Sequence, residues 1–186
     1  AQFQYRLGDL PGGQNIGFIY AADNDFLNFS RIDLVPGQPI LVTEDETWAA
    51  YWSAWQYVYS PDPAPDRVDP TDGRPDMRGL GLFARAGIAD GDTNPIEWTA
   101  SIGLGGRGLL PGREEDTFGL GFAYTDIDRT PLAGAIGFND NAYGFEAFYN
   151  VALTRGVNLT FDAQVIESAI ADDTATVLGA RLNIRF

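Results

Sequence analysis

The chain has 186 residues, with 12 basic side chains, all Arg, against 26 Asp and Glu, for a net charge of -14, and it contains neither His nor Cys. That balance argues against binding a polyanion such as nucleic acid. The missing residue types remove disulfides, thiol chemistry, Cys-ligated metals and the commonest general base. No run is long and apolar enough to predict a spanning helix. Gly 22, Phe 12, Tyr 8 and Trp 4 favour an all-β protein, since aromatics suit strands and glycine suits turns.

Segments of about ten residues with two-residue periodicity recur along the chain, and predict strands near 1-8, 15-23, 47-59, 78-89, 96-106, 117-126, 142-152, 157-166 and 174-186. Gly, Pro, Asp and Asn clusters separate them. The longest predicted loops lie near 24-46, 60-77 and 127-141. Segment 60-77 is rich in proline and charge and cannot pair as a regular strand. Within 24-46, the apolar run Ile40-Leu41-Val42 suits either a small loop strand or a segment folded against the wall.

The two faces of these segments differ. Ile96, Trp98, Ala100, Ile102 and Leu104 alternate with Glu97, Thr99, Ser101, Gly103 and Gly105, and Phe118, Leu120, Phe122 and Tyr124 alternate with Thr117, Gly119, Gly121, Ala123 and Thr125. Val157, Leu159, Phe161, Ala163 and Val165 alternate with Asn158, Thr160, Asp162 and Gln164 in the same way. A greasy face and a wet face in strand after strand predict an antiparallel transmembrane β-barrel, and the terminal Phe186 is typical of outer-membrane barrels. If the last strand runs down to the periplasm, parity places 24-46, 90-95, 127-141 and 167-173 outside. It places 9-14, 60-77, 107-116 and 153-156 on the periplasmic side, where 60-77 is longer than such turns usually are.

Four stretches carry a family resemblance: Gly81 to Gly91 (GLFARAGIADG), Gly105 to Arg113 (GGRGLLPGR), Tyr143 to Asn150 (YGFEAFYN) and Thr174 to Leu182 (TATVLGARL). Together they resemble the C-terminal half of the carbohydrate-selective porins of the OprB family, with the likeness concentrated over 47-186. The resemblance implies an integral barrel of the Gram-negative outer membrane, of roughly sixteen strands, that lets small sugars diffuse. From the residues themselves no cofactor, metal or catalysis is expected: without His and Cys only carboxylate or hydroxyl chemistry remains, and nothing fixes the separation of the carboxylate pair Asp162 and Glu146. Inward-folded constriction elements are expected from the other half. The eight or nine strands here make about half of such a barrel, and the unpaired edges of a half-barrel cannot stand alone in hydrocarbon. The missing wall is expected from the same longer protein, the alternatives being a second chain or self-closure as a small barrel. A homotrimer is left open.

A sugar pathway calls for hydroxyl partners beside aromatic faces. The candidates are Arg85, Glu97, Arg107, Glu146, Asp162, Gln164, Arg181 and Arg185, with Trp55 and Phe83 as stacking surfaces. Each also has the plainer reading of a charge solvating a wet wall. Phe186, Trp98, Tyr124 and Tyr149 are candidates for the membrane interface, and Phe186 also for assembly. The aspartates of 60-77 lack the spacing of a calcium loop, and Gly103-Leu104-Gly105-Gly106-Arg107-Gly108 opens no helix that would make it a phosphate cradle. The competing readings are a non-conducting structural outer-membrane barrel and a soluble β-sandwich that binds carbohydrate.

Overall fold

In the computed structural model, each alternating segment pairs with its neighbour in sequence. The strands are β1 Gln2–Leu7, β2 Leu10–Val35, β3 Gln38–Tyr59, β4 Gly79–Ala89, β5 Ile96–Arg107, β6 Thr117–Ile127, β7 Asn141–Thr154, β8 Val157–Glu167 and β9 Thr174–Ile184. They form one antiparallel meander in the order β1 to β9. The structure describes residues 1–35, 38–63, 68, 77–127, 130–170 and 173–185, apart from the side chains of 32–35, 38–40, 131, 132 and 136. Phe186 and most of 60-77 lie outside the described residues.

The register states which side chains share a face. Leu82 faces Leu104, Leu104 faces Leu120, and Leu120 faces Ala147, which continues to Ala163 and Leu178. The neighbouring row runs Ala84, Ile102, Phe122, Phe145, Val165 and Thr176. These apolar side chains are not covered: Ile102 is 62% exposed, Leu178 80%, Leu182 56% and Ile184 52%. A soluble sandwich would bury them beneath a second sheet. Apart from Pro11, the only buried apolar side chains among the described residues are Met77, Ile127 and Ala133. The accessible surface is 12059 Å², whereas a soluble monomer of 20.2 kDa would show about 8,700 Å². A single-layer sheet with an uncovered apolar face needs lipid as its partner.

Two expectations are corrected. Residues 24-46, expected as a loop, are mostly strand: β2 and β3 continue outward as a hairpin arm with pairings such as Phe26 to Glu44 and Ile32 to Leu41, interrupted by two register shifts. The local polar sequence hid this, because the pairing partner supplies the order that the alternation lacks. The first shift follows Ala22, where Asp23 takes φ 59°, a left-handed conformation that Asp tolerates. The expected turn over 9-14 shrinks to Gly8–Asp9, with Gly8 at φ 63°, since Leu7 already faces Leu10.

The connection between β6 and β7 contains a helix, α1 Pro131–Ile136. Thr130 Oγ1 accepts from the Ala133 backbone N–H at 3.1 Å, Pro131 opens the first turn and Gly137 closes it at φ 84°. This short helix packs on β2, four strands away from β6. The arm of β2 also reaches sideways: the Phe29 backbone N–H donates to the Asp92 carbonyl at 2.7 Å, and Asn139 is tied to Ser168 and Ala169. The connections at this end are therefore knitted into one rim.

At the opposite end, Asp116 holds the turn between β5 and β6 against β7. It is 4% exposed and accepts from the Ala152 backbone N–H at 2.9 Å, the Tyr149 hydroxyl at 2.8 Å and Arg113 Nε at 2.7 Å. Burial by itself would raise the Asp116 carboxyl, but the Ala152 amide, the Arg113 guanidinium and the Tyr149 hydroxyl outweigh it and hold it below the usual carboxylate range.

Candidate functional site

The face opposite the apolar rows carries three polar rows along the hydrogen-bonding direction. In the first, Trp55 faces Phe83, which faces Gly103, then Gly121, Glu146 and Gln164. In the second, Gly105 faces Gly119, followed by Phe148, Asp162 and Gly179. In the third, Arg107 faces Thr117, followed by Asn150, Thr160 and Arg181. Strand alternation alone puts these side chains together, and the meander brings neighbours in sequence to neighbouring positions across the wall.

Five of the sequence-selected residues surround one hollow of about 770 Å³: Glu146, Asp162, Gln164, Arg181 and Arg185. Gln164 Nε2 donates to Asp162 Oδ1 at 3.2 Å, and Glu146 lies directly across from Gln164 on the neighbouring strand. Beside them runs a relay in which Thr160 Oγ1 donates to Asn150 Oδ1 at 2.9 Å and Asn150 Nδ2 donates to Thr117 Oγ1 at 3.3 Å. This fixes the orientation of the Asn150 amide. A smaller hollow of about 260 Å³ joins Phe83, Ser101, Glu146 and Gln164.

Arg85, Arg107 and Glu97 lie outside this hollow, and Arg185 closes one end of it. Arg85 lies on the polar face opposite Ser53 and Ser101, with its guanidinium 5.9 Å from the Phe83 ring centroid. Arg107 closes β5 and is ion-paired to Glu115 in the adjoining turn at 2.7 Å. Glu97 falls in the pairing irregularity between Ile96 and Trp98, at the strand end rather than among the polar rows. Arg185 follows β9, and its backbone N–H donates to the Gly156 carbonyl at 2.8 Å.

Trp98 and Tyr124 lie on the apolar face toward the rim that carries α1, with ring centroids 5.0 Å apart. Tyr149 lies on the same face toward the other end, where its hydroxyl reaches Asp116. The sequence pattern did not select Phe148, Asn150, Thr117 and Thr160. The signal for them was the run of Gly at alternate positions of 117-126, which leaves space only if something lies over it.

The polar face also shows how its aromatics are seated. A methyl group at Gly103 would come 2.5 Å from the Phe83 ring, and one at Gly13 would come 2.8 Å from the Trp55 indole. Each ring therefore occupies the space beside a neighbouring glycine, where a larger residue would push it outward.

No curated protein sequence matches this chain. A family model described as carbohydrate-selective porin, OprB family, matches residues 2–186. Among solved structures, the high-pH structure of Pseudomonas putida OprB aligns with a TM-score of 0.76 at 22% identity, covering 98% of this chain and 46% of that one. The low-pH structure of the same protein gives 0.51 at 17%, covering 97% and 48%. The chain thus spans just under half the length of those proteins, and at these identities the likeness shows a shared fold. An antiparallel wall with one lipid-ready face and one polar face, matched by the family model over nearly its whole length, belongs to the OprB family of carbohydrate-selective porins, integral proteins of the outer membrane.

Proposed function

We propose that this chain forms about half of the wall of an outer-membrane pore through which small neutral solutes, carbohydrates above all, diffuse passively. The observation that carries this reading is the division of one sheet into an uncovered apolar face and a face of Gly, Ser, Thr, carboxylate, amide and guanidinium groups. Glu146, Asp162, Gln164, Arg181 and Arg185, with Arg85, Trp55 and Phe83 further round the wall, line the path and replace part of a sugar's hydration shell by weak multipoint contact. Trp98, Tyr124 and Tyr149 sit at the lipid headgroup levels. The strands that complete the cylinder come from the same longer protein, of which this chain resembles the C-terminal half. The path holds no catalytic step.

The family description favours sugar over a plugged, non-conducting barrel, and the glycines of β5 and β6 leave the wall thin where a plugged lumen would be filled. The test is reconstitution of the complete protein in planar bilayers and liposomes. Stable conductance with sugar-dependent swelling is expected. An absence of both overturns the proposal.

A further inference from the structure

We infer that Phe148 is the floor of a stacking subsite for a pyranose ring, and that Gly119 is the positioning residue that keeps this floor flat. The inference rests on the sugar passage proposed above and gives it a location.

Phe148 faces Gly119 on β6 and Asp162 on β8. A methyl at Gly119 would overlap the edge of the Phe148 ring, so the ring occupies the place of the side chain that Gly119 lacks. An edge of the ring is seated over Gly119, and Phe148 as a whole stays 37% exposed. Phe148 shares the hollow of about 770 Å³ with Glu146 and Asn150, two residues away on the same side of β7, and with Asp162, Gln164 and Arg181. An apolar plane edged by carboxylate, amide and guanidinium groups has two-sided chemistry. A pyranose matches it, because its C–H face meets the ring while its equatorial hydroxyls donate to the carboxylates and accept from the amide and guanidinium. A small ion would be indifferent to the ring, and an open-chain polyol has hydroxyls without a fixed apolar face.

Gly119 distinguishes this seat from that of Phe83. At Gly103 an added methyl would also strike the Leu120 carbonyl, whereas at Gly119 the three nearest atoms all belong to the Phe148 ring. A methyl at Gly119 therefore lifts the ring off the wall without forcing the backbone.

The experiment measures single-channel current through the complete protein in a planar bilayer, titrated with glucose and, separately, with sorbitol. The expected result is block by glucose at concentrations where sorbitol has little effect. Phe148→Leu, which keeps bulk and loses the ring face, and Gly119→Ala should each raise the half-blocking glucose concentration by roughly three- to tenfold. Phe148→Tyr should stay near the parent value. Glucose block unchanged in Phe148→Leu, or equal block by sorbitol, overturns the subsite while the pore reading survives in the measured conductance. An absence of conductance overturns both.

Discussion

The two faces of β4 to β9 share one backbone and answer to different neighbours. The apolar face must satisfy lipid, which asks only for hydrocarbon at every position, and Leu, Ile, Phe, Val and Ala meet that demand almost interchangeably in row after row. The polar face has to leave room, hold water and orient particular groups, and its positions are not interchangeable. Gly119 matters because of Phe148, and Asn150 because of Thr117 and Thr160. A face that meets a uniform solvent is specified by composition, whereas the opposite face is specified by pairs.

The largest expected effect tests the faces directly with one substitution at adjacent residues. Ala163→Arg puts a guanidinium on the apolar face near mid-strand and should destabilise the protein by about 2–4 kcal/mol. Gln164→Arg, one residue on, should stay within about 0.5 kcal/mol. Urea unfolding in lipid vesicles, followed by heat-modifiable migration, reads both. Equal losses at the two positions would mean that both faces meet the same medium.

The next effect lies where the faces end. Asp116→Asn leaves the Ala152 amide, the Tyr149 hydroxyl and Arg113 with a poorer acceptor, and should cost about 1–3 kcal/mol at neutral pH. Because the native carboxyl is held below its unfolded value of about 3.9, its contribution is complete above that value. It is lost as pH falls through the depressed native value. The parent protein should therefore lose part of its stability only in strongly acid solution, and this part of the pH dependence should be missing from Asp116→Asn.

A smaller change is expected at the apolar face's rim. Trp98→Leu keeps hydrocarbon but removes the ring pair with Tyr124, for a loss of about 0.5–1.5 kcal/mol measured by the same unfolding. The smallest effect on stability and the clearest on transport should come from Arg181→Gln. Removing this cation from the polar face should leave unfolding unchanged and shift the reversal potential in a salt gradient toward cation preference. A shift without a stability change sharpens the contrast between the faces, and the reverse pattern would break it.

Periodicity in the amino-acid sequence was enough to place β4 to β9 within a residue or two, and to say which side chains share a face. Alternation is a local property that each strand carries by itself. The grouping of Glu146, Asp162, Gln164 and Arg181 followed from the same rule once consecutive strands were taken as neighbours. What alternation could not contain was decided by tertiary structure. The arm of β2 and β3 is ordered by its own cross-strand pairing and by contact with α1, not by a local pattern. Glu97 is displaced by a pairing irregularity that only its partner strand reveals. The seats of Trp55, Phe83 and Phe148 each depend on a glycine across a strand boundary, and Asp116 depends on donors 33 and 36 residues away. The physical reason is range: side-chain direction is set within one strand, whereas space and hydrogen-bond partners are set by whichever strand lies alongside.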